Sequence, residues 1–302
     1  MGLQVRIILY SEAEKPAFDA AASAFDELAR LDDILSDYRP DSELMRLSAR
    51  SGTGPVRVGP DLFAVLDASQ QLAERSRGAF DVTVGPLVRL WRTARREGRL
   101  PARSGLEEAQ RRVGFRLLRL KDEDSTAVLA VPGMQLDVGG IAKGYAADRA
   151  LETLRRRGVT RALIEIGGDV RVGDPPPGRE GWRIEVANVA DEARFIEISN
   201  AAVAASGDTE QFVEFAGRRY SHVVDPRTGL GLTSRIAVIV VAPDGLTADG
   251  LSTAISILGR EQGERLVREH YPHVRAYIRH LEETEDAASM PDPLGRRATR
   301  SP

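Results

Sequence analysis

The chain has 302 residues, 42% of them hydrophobic, and a formal net charge of −3. That length suffices for one large domain or two closely joined ones, and the slightly acidic balance offers no basic field for nucleic acid. There is no cysteine, so disulfides, thiolate chemistry, cysteine–zinc sites and a lipid anchor on cysteine are not expected. Without a run of about 18 apolar residues, no transmembrane helix is expected either. The N-terminal segment lacks the long apolar stretch of an export signal. The expected location is therefore the cytoplasm for the chain as it stands, or the periplasm if an export signal has been removed.

Leu3, Val5, Ile7 and Leu9 alternate and predict an opening strand. Phe18, Ala22, Phe25, Leu28 and Leu31 recur at helical spacing, predicting a helix through Tyr38 that Pro40 helps to end. A short helix starts at Ser42-Glu43-Leu44. Asp61–Arg77 reads as a second amphipathic helix, with Leu62, Val65, Leu66, Ser69 and Leu72 on one face. Gly78–Pro86 is a short structured loop, followed by a helix through Trp91, and Arg92–Ser104 is charged and reads as exposed. Ala162–Ile166 reads as a strand ending in Gly167-Gly168-Asp169. Gly173–Gly181 is a proline-rich loop, and three strands at Arg183–Ala187, Phe195–Ser199 and Ala201–Ala205 read as a meander. Arg235–Ala242 is a buried strand by its Val/Ile content. Thr247–Leu258 and Glu261–Tyr271 are helices, and Val274–Ile278 is a closing strand. The segment 282–302 is charged, contains proline and lacks periodicity, as a disordered tail would. Strands and helices are mixed rather than strictly alternating, which predicts an α+β fold.

The stretch QLDVGGIAKGYAADRA, Gln135–Ala150, combines an apolar run carrying Asp137, two glycines and the start of a helical pattern. Strand, glycine turn and helix is the arrangement that points backbone N–H groups at an anion. Lys143, one of three lysines in the chain, falls in the first helical turn. An ordinary turn with a solvated lysine fits this stretch equally well. A Walker A loop does not, because Lys143 precedes Gly144 rather than Ser or Thr.

Three further segments carry polar groups in chemically useful patterns. Asp249, Ser252 and Thr253 fall three and four residues apart, on one face of a helix. They are hard oxygen donors suited to Mg²⁺ or Ca²⁺, although Thr247 and Asp249 would serve simply as helix caps. His222 stands in Ser221-His222-Val223-Val224-Asp225-Pro226-Arg227-Thr228-Gly229, where it would act as a general base, orient a phosphate or merely hydrogen-bond. Gly78-Ala79-Phe80-Asp81 and Leu35-Ser36-Asp37-Tyr38 each pair an aromatic with an acceptor, as a flat heterocycle requires, and core packing accounts for Phe80 and Tyr38 as well.

Read in order, these segments resemble the ApbE family of FAD:protein FMN transferases. The matching stretches are Met1-Gly2, LSDYRPDSEL, GAFDVTVGPLVRLW, LDVGGIAKGYAADRAL, LIEIGGDVRVG, AASGD, YSHVVDPRTG and ADGLSTAISILG. The resemblance implies one ApbE-like, T-fold-related catalytic unit over residues 1–281, built of mixed sheets with flanking helices. It implies a Mg²⁺-dependent transfer of FMN from FAD to a Ser or Thr hydroxyl of an acceptor redox protein, with AMP released. By position, Met1, Tyr38, Ala79, Phe80, Asp81, Asp137, Lys143 and Val223 match FAD contacts. Asp249, Ser252 and Thr253, with a backbone carbonyl from Gly140, match the metal set, and His222 matches a histidine beside the reacting phosphate. Ser252 stands where some members have a carboxylate, and Lys143 where some have Glu. Two other readings use the same residues: an FAD pyrophosphatase with water as acceptor, and a non-catalytic flavin-binding protein. The retained Asp249, Thr253 and His222 argue against the last. The acceptor is expected to dock on the glycine-rich rim of Gly167-Gly168 and Ser206-Gly207, by strand addition or as a loop.

Overall fold

The computed structural model describes residues 4–186, 195–207, 212–215 and 217–280. Met1, the Asp208 of the AASGD stretch and the expected tail at 282–302 lie outside the described residues. In chain order the elements are β1 (Val5–Leu9), α1 (Glu14–Leu35), α2 (Glu43–Ala49), β2 (Val56–Arg57), α3 (Pro60–Arg75), α4 (Gly85–Glu97), α5 (Arg103–Gln110), β3 (Leu118–Lys121) and β4 (Thr126–Leu129). They continue with α6 (Ala142–Arg156), β5 (Ala162–Ile166), β6 (Asp169–Val172), β7 (Trp182–Glu185), β8 (Phe195–Ile198), β9 (Ala202–Gly207), β10 (Phe212–Phe215), β11 (Arg218–Ser221), β12 (Ile236–Ala242), α7 (Gly245–His270) and β13 (Arg275–His280). The expected α+β class holds. Among the described residues, no helix is long and apolar enough to cross a membrane.

A six-stranded sheet in the order β1-β5-β6-β9-β12-β13 organises the molecule, and its neighbouring strands pair antiparallel. Side chains alternate across its two faces. Ile164, Ile166, Ala204, Val238 and Val240 enter the main core beneath the helices. Leu163, Val172, Val203 and Ile239 meet Trp182 and Ile184 on the opposite face, where the β7–β8 hairpin covers the sheet. Burial on both faces is why β12, IAVIVVA, reads as an unbroken apolar run. Each such side chain taken fully from water contributes roughly 1.5–3 kcal/mol.

On the helix side, α6 packs against α1, α7 and the sheet. A polar seam joins three helices: Asp61 of α3 accepts from Arg30 of α1 at 2.8 Å and from the Tyr145 hydroxyl of α6 at 2.7 Å. These bonds overcome burial, which alone would raise it, and hold the Asp61 carboxyl below its ordinary range. A smaller core lies around α4 and α5, where Leu87, Trp91 and Leu106 pack with Tyr220 and Val224.

Several expectations need correction. The three strands after Gly181 form no meander: β7 and β8 pair with each other, while β9 inserts between β6 and β12. Phe18 and Phe25 are exposed, at 68% and 46%, and α1 instead buries Ala20, Ala24, Leu28, Leu31 and Leu35. That helix ends at Leu35, before Tyr38. The charged stretch after Trp91 is not simply exposed. Helix α4 runs on to Glu97, α5 begins at Arg103, and the Arg92 side chain is largely covered. The two expected C-terminal helices are present, run together as α7 across a non-helical break at Gly259, whose φ is 77°.

Candidate functional site

The site begins where α6 crosses α7. A Cβ on Gly144 would stand 1.9 Å from the Gly245 carbonyl oxygen, and one on Gly245 would stand 2.4 Å from that of Gly144. Only two glycines allow backbones so close. The contact is stitched by carboxylates reaching across it. The Gly144 N–H donates to Asp249 Oδ2 at 3.0 Å, and the Gly245 N–H donates to Asp148 Oδ1 at 2.9 Å. Asp148 also accepts from the Leu246 N–H at 2.9 Å and from Arg171 Nε at 2.6 Å. Asp244 is the N-cap of α7, accepting from the Thr247 N–H at 2.7 Å. The start of α7 is thus capped by Asp244 and Asp148, not by Thr247 and Asp249 as the sequence allowed. Asp249 is free of that duty and faces α6.

What Asp249 meets there is Lys143. The ammonium lies 2.8 Å from Asp249 Oδ1, 3.2 Å from Asp169 Oδ2 and 3.3 Å from the Gly139 carbonyl. Asp249 is 1% exposed and Asp169 4%. Burial opposes the lysine's charge, but the two carboxylates more than offset it and hold its pKa well above the ordinary value. Asp169 goes the other way. Burial and the neighbouring Asp249 charge push it up to about 7, against the pull of Lys143. Its Oδ1 accepts from the Ala205 N–H at 3.1 Å. Its Oδ2 is buried and meets Lys143 as an ion pair without hydrogen-bond alignment.

Gly140 and Thr253 complete this end, since a Cβ on Gly140 would stand 2.9 Å from Thr253 Oγ1. Ser252 is buried and its hydroxyl donates to the Asp249 carbonyl at 2.9 Å, within its own helix. Asp249, Thr253, Gly140 and Lys143 therefore converge, while the Ser252 hydroxyl is engaged along the helix. Among the described residues no group of three or more His, Cys, Asp or Glu side chains could hold a metal. Any cation here would rest on the Asp249 carboxylate, the Thr253 hydroxyl and the Gly140 carbonyl.

A second wall adjoins the glycine turn. The Asp137 N–H donates to the Val82 carbonyl at 2.8 Å, and Val84 bridges Gln135, fixing the Gly78–Pro86 loop beside it. Asp137 Oδ1 accepts from the Gly139 N–H at 2.9 Å, and Oδ2 pairs with Arg92 at 3.2 Å. Burial, then the Asp37 charge, push Asp137 up, and Arg92 pulls it down. Arg92 also pairs with Asp37 and lies 4.3 Å over the Tyr38 ring, which is 71% exposed. Phe80 and Ala79 are buried, Phe80 within the main core. Asp81 closes a turn by accepting from the N–H and hydroxyl of Thr83 at 2.8 and 2.7 Å. The side chains of this loop face inward, so it offers the site its backbone.

His222 and Val223 follow β11 on a separate loop. His222 is exposed, and the Val223 N–H donates to Ser221 Oγ at 3.1 Å. The loop is tied by the Asp225–Arg227 pair and by Trp91 Nε1 donating to the Gly229 carbonyl at 2.9 Å. Sequence reasoning missed Asp169, Asp148, Asp37 and Arg92. Asp169 alone carried a signal, closing the Gly167-Gly168-Asp169 turn, where both glycines have positive φ.

Known proteins share this chain's fold. The ApbE family model matches residues 1–278. An FAD:protein FMN transferase of Treponema pallidum is 33% identical over 297 residues, covering 91% of this chain and 81% of that protein. One from Vibrio cholerae is 33% identical over 78% of this chain and 72% of its own length. Among solved structures, the flavin transferase ApbE from Vibrio cholerae superposes with a TM-score of 0.80 at 28% identity, covering 91% of this chain and 89% of that one. The ApbE protein of Thermotoga maritima gives a TM-score of 0.81 at 30% identity, over 93% and 94%.

Proposed function

The chain belongs to the ApbE family, and from that premise we propose that it is an FAD:protein FMN transferase that attaches FMN to a Ser or Thr hydroxyl of an acceptor redox protein. The relatives' shared name supports flavin transfer from FAD to a protein. The observation that carries the site-level reading is the buried cage of Asp249, Asp169 and Lys143 beside the glycine turn. Burial of two acids around one ammonium is costly unless the charges are used, and an anionic pyrophosphate with a hard cation would use them.

The donors fit such a cation. Asp249 is a buried carboxylate, Thr253 Oγ1 stands against Gly140, and the ammonium of Lys143 already draws both acids around one positive centre. Asp249, Thr253 and the Gly140 carbonyl would hold Mg²⁺, with the Ser252 hydroxyl turned along its helix. When bound, the ion neutralises pyrophosphate charge and polarises a phosphoryl oxygen. Lys143 adds a fixed positive charge, and the glycine turn admits phosphate close to the backbone. The exposed Tyr38 ring, with Arg92 over one face, is a stacking surface suited to a flat ring. An oxygen–phosphorus bond forms from the acceptor hydroxyl as the pyrophosphate P–O bond breaks. AMP leaves with the bridging oxygen, and His222 takes the hydroxyl proton.

The test is the mass of a candidate acceptor after incubation with this protein, FAD and Mg²⁺. The expected gain is one FMN less one water, lost in excess chelator and when the acceptor Ser or Thr becomes Ala. Rapid FAD consumption with no mass gain on any acceptor would replace the transferase by a pyrophosphatase.

A further inference from the structure

Lys143 is held by three oxygens, but only one of its partners has another proposed use. If Asp249 gives Oδ1 to a cation, the ammonium loses its shortest contact, 2.8 Å. A buried charge stripped of its partner is strongly destabilising. Asp169 is already within reach at 3.2 Å. Its carboxylate is pinned at Oδ1 by the Ala205 N–H, and its buried Oδ2 lacks any aligned hydrogen-bond donor. Such an acceptor is spare capacity in a place where spare polar atoms are rare.

We propose that Asp169 is a positioning residue that takes over Lys143 when Asp249 turns to the divalent cation. The inference rests on the cation reading of Asp249 given above. With both carboxylates ionised, the two acids and one ammonium carry −1, and a divalent cation brings the cage to +1, still balanced enough to stay buried. Without the Asp169 charge the ammonium is left with Asp249 as its sole counter-charge in the cage. Lys143 would then compete with the metal for the same oxygen. Asp169 never touches the reacting atoms in this scheme. It acts by keeping Lys143 off Asp249.

The test is a titration of Mn²⁺ alone, followed by the electron-spin signal of the free ion, into the wild-type chain, Asp169→Asn, Lys143→Met and the double variant. Asp169→Asn keeps an acceptor for the Ala205 N–H and is expected to weaken Mn²⁺ binding about 10–100-fold, the usual effect of losing a group that orients a metal ligand. Lys143→Met is expected to bind Mn²⁺ at least as tightly as wild type. Adding it to Asp169→Asn should recover most of the loss, a coupling that two independent structural lesions would not show. Unchanged affinity in Asp169→Asn, or a loss that Lys143→Met leaves in place, overturns the handover. If Asp169→Asn fails to fold, weakened binding in Lys143→Met alone overturns it too. A wild-type chain that takes up no Mn²⁺ removes the cation clause of the proposed function and this inference with it, whereas uptake by wild type with unchanged Asp169→Asn removes only the handover.

Discussion

The crossing of α6 and α7 and the loop after β11 both carry residues assigned to chemistry, yet they are built in opposite ways. At the crossing, two glycines bring backbones into contact and five charged side chains sit largely out of water. Each carboxylate there has more than one partner, so its position is over-determined. The His222 loop rests on a small separate core around Trp91 and presents its histidine to solvent. Hydrogen bonds at the loop's edges anchor it. The difference teaches that charge placement and proton transfer make different demands. Holding charge against charge needs rigidity and low dielectric. A proton acceptor must stay accessible to whatever hydroxyl arrives.

If this contrast is right, mutations should sort by region. The largest effect is expected from Gly144→Ala. The new methyl would meet the Gly245 carbonyl at 1.9 Å, and backbone on both sides leaves nothing flexible to yield. Loss of roughly 3 kcal/mol or more, beyond ordinary overpacking, should show in urea unfolding and take activity with it. A variant with wild-type stability would break the claim that the crossing is rigid.

Asp249→Asn should abolish flavin transfer while altering stability less, because Asp169 remains beside the lysine. A hard divalent cation needs the carboxylate charge. Acceptor labelling at wild-type rate would remove Asp249 from the site. In the other region, His222→Ala should slow turnover by ~10²–10⁴, the range for general acid–base groups, with FAD affinity and melting temperature kept. Loss of FAD binding at an unchanged turnover number would make His222 a ligand contact instead.

The smallest expected effect lies away from both regions, at the polar seam, and fades in acid. Asp61 is held below its ordinary value, so its folded form favours the charged state. Its stabilisation is present above the unfolded pKa near 3.8 and is lost as pH falls through the lower folded value. Asp61→Asn should therefore be less stable than wild type at neutral pH, and the gap should close toward pH ~2–3. A gap that widens in acid would contradict the sign.

The local parts of the site were legible because they are written in short spacings. Asp249 and Thr253 share a helical face by their separation, and Gly139-Gly140 followed by Lys143 marks a turn into a helix. The helices other than α5, with shifted ends, and the strands of the central sheet other than β6 followed from the sequence. What remained unreadable depends on distant pairing. Asp169 meets Lys143 only because β6 lies beside β9 and beneath α6. Arg92 sits in a run of arginines that looks solvated until Asp37 and Asp137 are brought to it. The short strands β2, β3 and β4 have too few residues to show a period, and β10 and β11 carry arginine and phenylalanine without clean alternation. The helix caps were misassigned for the same reason, since Asp148 reaches α7 from another helix.

The crossing also contains a hidden symmetry. Gly144 is followed four residues later by Asp148, and Gly245 four residues later by Asp249. Each aspartate accepts the N–H of the other helix's glycine, so the two halves exchange equivalent hydrogen bonds. What breaks the symmetry is the residue before each glycine. Asp244 turns back to cap its own helix, and Arg171 comes from the sheet to neutralise Asp148. In the other half the preceding residue is Lys143, which crosses to Asp249. The same clasp therefore appears twice, closed on its own helix at one end and bridged across to Lys143 at the other, and one position in each copy decides which.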